Sequence, residues 1–464
     1  MTPFPDGPAD PTFLDLSRPG EDEILLKKEC HRLATEVIRP AARTLDRMAP
    51  GERVAPGSPY FSALGHLKSL GYHRMFLPPE VGGIDPPVSP LARAIFLEEL
   101  GWGSLGLATA FGVDMLPFVL IAMFGSERLK TDLLAPWVDD TEGALHGCWG
   151  ATEPDHGSDA VMSLRDPTAA GFARPQAVAV PDGDGWRIRG QKAAWVSSAP
   201  VATHCALHVQ VEGEADPLHG MFAIVPLDLP GVSRGQPIAM LGARDDPQCE
   251  IFFDDVALPA DHLLVASTPF YGIFVDQLLC ATSATIANIA VGVARAAFEE
   301  ALAYARRRVQ GGVPIAEHKN VQLTLYGMFE KIETARCYAR QVLSHIQGET
   351  VPGGGSGPST PGAGAAGGGG GSGMMTGFGA SPRHSRAAQI YAKRIAFEVA
   401  NDALQVCGAY GLTEESLTEK LFRDARSLWI EDGTLEVLSL DAARDLISNY
   451  ETDRYVPEEV MQRW

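Results

Sequence analysis

Hydrophobic residues recur at helical spacing over the first third of the chain. Within residues 21–45 the apolar positions fall close to one helical face, and 64–70 and 91–100 continue the pattern after short breaks. Apolar residues three and four positions apart are typical of amphipathic helices. The stretch 77–84 is rich in Pro and Gly, which indicates a connector between helices. The pattern predicts an N-terminal α-helical domain over residues 1–145.

The hydrophobic pattern changes near residue 145. Short alternating or β-branched runs follow at 177–180, 186–188, 205–211, 221–225 and 249–253, separated by turn clusters such as Pro-Asp-Gly-Asp-Gly at 181–185. Runs of this length bounded by turn residues are typical of strands. We therefore expect a central β domain over residues 146–266.

The helical period returns in the last part of the chain and predicts a helical domain over residues 267–464. Ile286, Ile289, Val293 and Ala297 share one face, and further helices are expected at about 320–346 and from Ser385, a candidate cap, to about Cys407. Between these two helices, residues 351–380 hold 14 of the chain's 49 glycines. Such a segment buries too little apolar area to fold, so it is expected to be a flexible surface insertion.

The apolar stretch 106–125 is about long enough to span a bilayer. It contains Asp114 near its middle, together with Pro117 and three glycines. A charge at that depth is costly in a membrane, so a buried core helix is the better interpretation.

Charge and cysteine content limit the function further. The 464 residues include 38 Lys and Arg against 58 Asp and Glu, which gives a net charge of −20 and argues against a nucleic acid or an anionic membrane as partner. None of the seven cysteines forms a Cys-x-x-Cys pair, so neither a disulfide framework nor a metal site is expected. No signal peptide pattern is visible at Met1. A cytoplasmic protein with reduced thiols is the expectation.

Four polar segments could carry chemistry. The segment 148–159 offers hydroxyls and backbone N–H groups, and 190–198 places a Trp beside two Ser residues. The segment 306–315 joins arginines to a Gly-Gly pair, and 419–434 ends in adjacent carboxylates before Gly-Thr. Each segment taken alone is also compatible with ordinary structure, which is the usual case for the first and third: a turn, a buried strand Trp, a solvated helix end or a charged helix cap.

Together and in this order, the segments resemble the acyl-CoA dehydrogenase family over residues 21–450. The Thr-Glu-Pro-x-x-Gly-Ser-Asp motif is complete at 152–159. Further matches are Lys192 with Trp195-Val-Ser197, Phe-Phe-Asp-Asp-Val-Ala-Leu-Pro at 252–259, Arg308-x-Gln310-x-Gly, Gln405-x-x-Gly408-x-x-Gly411 and Arg-Asp-Ala-Arg at 423–426. The resemblance implies an α+β multidomain fold: an N-terminal helical domain, a central β-barrel and a C-terminal four-helix bundle.

The resemblance also implies FAD as the cofactor and assigns its contacts. Residues expected to bind FAD within the subunit are Trp149, Ala151, Thr152, Ser158, Trp195, Ser197 and Thr434. Residues expected to reach the FAD of a neighbouring subunit are Arg308, Gln310, Gln405 and Gly408. A cofactor shared between subunits implies a homotetramer, or at least a dimer.

The implied reaction is α,β-dehydrogenation of an acyl-CoA thioester. In the family, a carboxylate removes the α-proton and the β-hydrogen leaves as a hydride to flavin N5. Hydrogen bonds to the thioester carbonyl stabilise the developing enolate. Electron-transfer flavoprotein is the expected electron acceptor.

The sequence departs from the family at the catalytic base. The common motif is Tyr-Glu-Gly-Thr with Glu as base, whereas this chain has Glu431-Asp432-Gly-Thr. Asp432 is the expected base, and Glu431 and Asp114 remain alternatives. Some family branches place the base Glu on the helix near 278, but the corresponding position here is Thr282. The next position, often Arg, is Ser283, which removes a familiar charge near the site.

Other functions remain open beside the leading one. Nitroalkane oxidases resemble this family and carry Asp at the base position, but their Arg seven residues later corresponds to Ser439 here. A related flavin monooxygenase, or a dehydrogenase of a cyclic acyl-CoA or of a carrier-protein thioester, is a further alternative. A non-catalytic DNA-binding relative is disfavoured by the net charge of −20.

Overall fold

The computed structural model describes residues 16–17, 19–159, 176–214, 220–265, 270–347 and 382–449. The Gly-rich segment 351–380, predicted to be a flexible insertion, lies outside these residues. The described chain runs from helices through strands back to helices. This confirms the order that the hydrophobic pattern predicts.

The N-terminal part is helical because its segments carry apolar residues at helical spacing, and several of them begin with a serine that caps the helix. The Ser89 hydroxyl accepts from the Ala92 N–H and the Ser104 hydroxyl from the Leu107 N–H, so each satisfies a free donor of a helix start. The helices are α1 (Glu21–Leu33), α2 (Arg39–Arg47), α3 (Pro50–Arg53), α4 (Pro59–Ser69), α5 (Pro90–Gly103), α6 (Leu105–Phe124), α7 (Glu127–Leu129) and α8 (Ala135–Val138). A π-helical turn, Ala34–Ile38, joins α1 to α2.

Helix α6 is the apolar stretch singled out in the sequence. Most of its side chains are buried against the rest of the protein, and Asp114 is fully buried within it. This agrees with the prediction of a core helix. By length and composition alone, α6 and the later helix Phe270–Arg307 could each cross a membrane, but both are mostly covered by protein.

The central strands form one sheet of eight members. They are β1 (Gly147–Gly150), β2 (Val178–Asp182), β3 (Gly185–Ser197), β4 (His204–Val211), β5 (Met221–Pro226), β6 (Val232–Arg234), β7 (Gln248–Pro259) and β8 (Leu263–Val265). The order is β6-β7-β3-β2-β4-β5-β8, and β1 pairs in parallel with β4. Strand β4 is buried on both faces: Leu207 packs in the core of the sheet, whereas Ala206 packs in the core shared with the helices.

The C-terminal part is a bundle built around one long helix. Its helices are α9 (Phe270–Arg307), α10 (Lys319–Ile346), α11 (Pro382–Gly411), α12 (Leu417–Ser427) and α13 (Leu435–Asn449). Helix α11 begins at Pro382, so the predicted cap Ser385 lies inside the helix, one turn after its start. A two-stranded hairpin, β9 (Val309–Gln310) with β10 (Val313–Pro314), follows α9.

Two features fix how the bundle packs on the N-terminal helices. A side chain at Gly292 on α9 would clash with the Glu98 carbonyl on α5, so the two helices can approach closely only with glycine there. The buried Glu98 carboxylate accepts from Arg295 of α9 at 2.9 Å and from Arg336 and Arg340 of α10. These charge-assisted bonds join α5, α9 and α10 and leave the buried carboxylate paired.

Candidate active site

The first predicted motif is tied to the sheet through Thr152 and Glu153. The Lys192 ammonium of β3 donates to the buried Glu153 carboxylate at 2.7 Å, and the Ala193 N–H donates to the Thr152 carbonyl at 3.0 Å. Glu153 also accepts from the Ala177 N–H at 3.0 Å. The segment carrying Trp149, Ala151, Thr152 and Ser158 is therefore held against β3 by a buried ion pair.

The second motif lies at the end of β3, where the pairing with β7 is irregular between Lys192 and Val196. The Trp195 side chain is 54% exposed, which leaves a large aromatic face uncovered by the chain. The Ser197 hydroxyl donates to Asp246 at 2.6 Å. Burial raises the pKa of Asp246 to about 7, against the hydrogen bond from Ser197.

The first motif meets the C-terminal end of the chain directly. The Thr434 N–H donates to the Ser158 hydroxyl at 3.1 Å. This places the turn that carries Glu431 and Asp432 beside the predicted flavin segment.

Asp432 lies in an unusual turn. Its φ is +50° and that of the next residue, Gly433, is +92°. The Gln389 side chain donates to the Asp432 carboxylate at 2.9 Å, and the Lys393 ammonium donates to the carbonyls of Glu431 and Gly433. The backbone on both sides of the candidate base is thus fastened to α11.

Burial and charge act on Asp432 in opposite directions. Burial raises its pKa, and the Lys393 ammonium, the Arg386 guanidinium and hydrogen bonds from Gln389 and Thr282 partly offset that rise. A raised pKa brings a carboxyl group toward the range in which a general base works at neutral pH. The hydroxyl at position 282, where other branches carry a Glu, therefore faces Asp432 from α9.

The cation expected to be missing at Ser283 is supplied from another helix. The buried Arg386 of α11 donates to the Ser283 hydroxyl at 2.7 Å and to the Asp441 carboxylate at 3.1 Å. The interpretation that Ser283 leaves the site without this charge is therefore wrong. The arginine comes from a position 103 residues later in the chain.

Glu431, the first alternative base, has a different environment. Neither of its carboxylate oxygens has a hydrogen-bond partner among the described residues, and both are buried. Burial and the nearby Asp246 raise the pKa of Glu431 to about 8, although Lys393 opposes the rise. The carboxyl group is therefore mostly protonated at neutral pH.

Asp114, the second alternative, lies in a closed ionic cluster. It is 3.0 Å from the Lys68 ammonium and accepts from His146 at 2.7 Å and from the Gly147 N–H at 3.3 Å. Burial favours a higher pKa, but Lys68 and the hydrogen bond from His146 outweigh it, so the pKa of Asp114 is lowered. These contacts favour a structural role over that of base.

The four residues predicted to contact a neighbouring subunit lie on two segments at one end of the bundle. Arg308 and Gln310 are exposed on the β9–β10 hairpin, and Gln405 and Gly408 are exposed at the end of α11. Stacked rings of Tyr304 and Tyr410, 5.6 Å apart, join the two helix ends. Large exposed apolar side chains in these parts of the chain are Val309 on the hairpin, Leu323 and Tyr326 at the start of α10, and Tyr410 and Leu412 around the end of α11.

The residues present suit a planar isoalloxazine ring and the phosphates of a flavin nucleotide. The Trp149 indole N–H is buried with no partner among the described residues, and Trp195 presents an uncovered aromatic face. The hydroxyls of Thr152 and Ser158 lie on the same segment as Trp149. A planar cofactor that bears phosphates can stack on an aromatic plane and can bond to a free N–H donor and to hydroxyls, and all three kinds of group are present here.

Sequence reasoning missed the residues that hold the candidate base. Arg386, Gln389 and Lys393 follow one another at spacings of three and four, so they occupy one face of α11. Three long polar side chains on a helix that is otherwise rich in buried Ala and Ile were the available signal. That signal does not reveal the turn to which the face is directed.

Comparison with known proteins identifies the same family throughout the chain. The acyl-CoA dehydrogenase N-terminal domain matches residues 20–141, the middle domain 148–256, and the C-terminal domain 276–359 and 372–447. The protein named "Probable acyl-CoA dehydrogenase YngJ" from Bacillus subtilis (strain 168) is 30% identical over 393 residues, which cover 83% of this chain and 89% of that protein.

Solved structures share the fold over nearly the whole chain. Butyryl-CoA dehydrogenase from Megasphaera elsdenii superposes with a TM-score of 0.75 at 22% identity, covering 92% of this chain and 99% of that one. A flavoprotein nitroalkane oxidase superposes with a TM-score of 0.77 at 17% identity, covering 93% and 97%. At these identities the two structures establish the fold alone.

Proposed function

Because this chain belongs to the acyl-CoA dehydrogenase family, we propose that Asp432 is the base that removes the α-proton of its acyl-CoA substrate. The supporting observation is the hydrogen bond between Thr434 and Ser158, which brings the turn of Asp432 to the predicted flavin segment. Among the three candidate carboxylates, Asp432 combines a raised pKa with hydrogen-bond donors that stabilise its charged form.

FAD is the cofactor of the family and, when bound, supplies the acceptor for the β-hydride. We propose that Trp149, Ala151, Thr152, Ser158, Trp195, Ser197 and Thr434 hold it within the subunit. The unpartnered Trp149 N–H and the uncovered face of Trp195 support this assignment. Ser197 already donates to Asp246, so it can offer its oxygen to a cofactor donor without losing that bond.

Asp432 reaches less far than the Glu of the common motif. Its side chain is one methylene shorter, which sets the carboxylate back by ~1.5 Å. A misplacement of ~1 Å can lower a rate about 100-fold. The substrate must therefore approach the turn more closely, or the turn must lie further forward.

We further propose that the enzyme is a homotetramer, or at least a dimer. Arg308, Gln310, Gln405 and Gly408 are exposed, and large exposed apolar side chains occur in the same parts of the chain. Large exposed apolar patches mark interfaces between proteins, and these side chains could contribute to one. Electron-transfer flavoprotein as electron acceptor and a cytoplasmic location belong to the same proposal.

The decisive experiment is an anaerobic titration of the purified flavoprotein with straight, branched and cyclic acyl-CoA thioesters. Loss of the visible flavin absorption with one class identifies the substrate. The variant Asp432→Asn should retain FAD and lose this bleaching. A flavoprotein that no thioester bleaches, including carrier-protein thioesters, contradicts the proposal.

A nitroalkane oxidase is the second candidate. The observation in its favour is an Asp at the base position with an arginine, Arg386, acting on its charge. The position expected to carry an Arg in those oxidases holds Ser439, whose hydroxyl is engaged with the Leu435 carbonyl. Hydrogen peroxide formed from a nitroalkane in air, without bleaching by thioesters, would favour this candidate.

A further inference from the structure

One face of α11 is directed at the turn that carries the candidate base. Gln389 donates to the carboxylate of Asp432, and Lys393, one turn later, donates to the backbone beside it. Gln389 and Lys393 are both fully buried. Burying a polar group is costly unless it is hydrogen-bonded, and the donors of Gln389 and Lys393 find their acceptors in this turn, although the Gln389 Oε1 has no partner among the described residues.

The turn itself needs support from outside. Asp432 has a φ of +50° and is followed by Gly433 at +92°, so two consecutive residues lie in the left-handed region. For a residue other than glycine this conformation costs about 1 kcal/mol and persists only where neighbours enforce it. The Lys393 ammonium donates to the Glu431 carbonyl on one side of Asp432 and to the Gly433 carbonyl, at 3.1 Å, on the other. One cation thus bridges the strained residue.

Lys393 also acts on the charge of the carboxylate. Among the neighbours of Asp432 it has the largest effect in lowering the pKa that burial raises. Burial lowers the pKa of Lys393 itself to about 8, although the two carboxylates raise it. The groups that face this pair are Arg386 and Gln389 from α11, Thr282 from α9 and Glu431 from the turn.

We propose that Lys393 is the positioning residue of the base: by bridging the carbonyls of Glu431 and Gly433 it fixes the turn that presents the short Asp432 side chain to the substrate. The inference rests on the proposed function, since it requires that Asp432 take the α-proton. Lys393 contacts the backbone around the base and not the reacting atoms.

The test measures the proton step without net oxidation. The probes are 3,3-dimethylbutyryl-CoA and phenylacetyl-CoA, which carry no hydrogen on the β-carbon and so cannot lose a hydride. Exchange of their α-hydrogens with D₂O is followed by mass spectrometry between about pH 6 and about pH 10. FAD content and thermal unfolding are recorded for each variant. The variants are Lys393→Met, which removes donors and charge, and Lys393→Gln, which keeps donors and removes charge.

For Lys393→Met we expect exchange at least about 100-fold slower with FAD retained. The pH at half-maximal exchange should rise by about one unit, because the cation that favours the ionised carboxylate is gone. Lys393→Gln should show the same shift of the midpoint but a rate within about tenfold of the wild type. The matched control is Lys331→Met on α10, which breaks partly exposed ion pairs with Glu398 and Asp402 and should change neither value.

Three outcomes overturn the inference. The first is Lys393→Met with the rate and midpoint of the wild type. The second applies if Lys393→Met does not fold: it is a Lys393→Gln variant whose pH at half-maximal exchange equals that of the wild type. The third comes from the base itself: exchange by Asp432→Asn at the wild-type rate, or no exchange by the wild type on either probe, refutes the proposed function. If Asp432→Asn shows no α-hydrogen exchange while Lys393→Met exchanges at the wild-type rate, only the role of Lys393 is refuted.

Discussion

The backbone N–H of Thr434 donates to the hydroxyl of Ser158 at 3.1 Å, across 276 residues of sequence. One partner belongs to the segment after β1, and the other follows the turn of the candidate base. The predicted flavin site and the predicted base are thus joined by a hydrogen bond between two domains. A change at this bond should affect cofactor and base together.

Ser158→Ala should weaken FAD binding and displace the base turn slightly. The Thr434 N–H loses its acceptor, which costs about 1 kcal/mol for an unpaired neutral donor. We expect FAD to dissociate several-fold more readily, measured by fluorescence of released flavin. Ser439→Ala is the matched control, because the Ser439 hydroxyl bonds only within its own helix and lies on the surface. Equal FAD affinity in Ser158→Ala and the wild type would contradict this role.

Lys192→Met should unfold the segment that follows β1. The lysine is fully buried, and its removal leaves the Glu153 carboxylate buried without its cation. Breaking one side of a buried pair costs about 3–5 kcal/mol. Denaturant unfolding measures the loss. Adding Glu153→Gln should restore part of the stability, since the uncompensated charge is then gone. A double variant less stable than Lys192→Met would show that Glu153 has other partners that matter more.

The order of the domains and the four chemical segments could be predicted from the sequence because they depend on local pattern. Helical period, strand alternation and motif spacing are properties of neighbouring residues. Asp114 was also visible as a charge in an apolar helix. Its partners were not, since Lys68 and His146 lie 46 residues before it and 32 after it.

The contacts of the candidate base could not be predicted because they depend on how distant elements face each other. The spacing of Arg386, Gln389 and Lys393 defines a face of α11 but not its direction. The turn that this face holds begins 38 residues after Lys393. The arginine beside Ser283 is a sharper case: the sequence shows a charge lost from α9, and only the packing reveals one gained from α11.

Asp114→Asn separates a structural carboxylate from a catalytic one. The substitution leaves the Lys68 ammonium, itself fully buried, without the closest of its two carboxylates. We expect a loss of about 3 kcal/mol in the free energy of unfolding. The pH midpoint of α-hydrogen exchange should stay that of the wild type, because Asp432 is untouched. A stable, flavin-loaded Asp114→Asn protein without exchange would make Asp114 the base instead.

Glu431→Gln should make the stability less dependent on pH between about 4.5 and about 8 while leaving the proton step intact. In the folded state burial raises the pKa of Glu431 to about 8, whereas in the unfolded chain it is near the ordinary value of about 4.5. Between these values the folded state holds a proton that the unfolded state has released. Stability from this group is therefore full below about pH 4.5 and is lost as the pH rises toward about 8, by up to ~1.4 kcal/mol per unit. Urea unfolding at several pH values should show a shallower decline for Glu431→Gln than for the wild type or for the exposed control Glu436→Gln. Exchange of α-hydrogens should persist in Glu431→Gln, and its disappearance with FAD still bound would assign the base to Glu431.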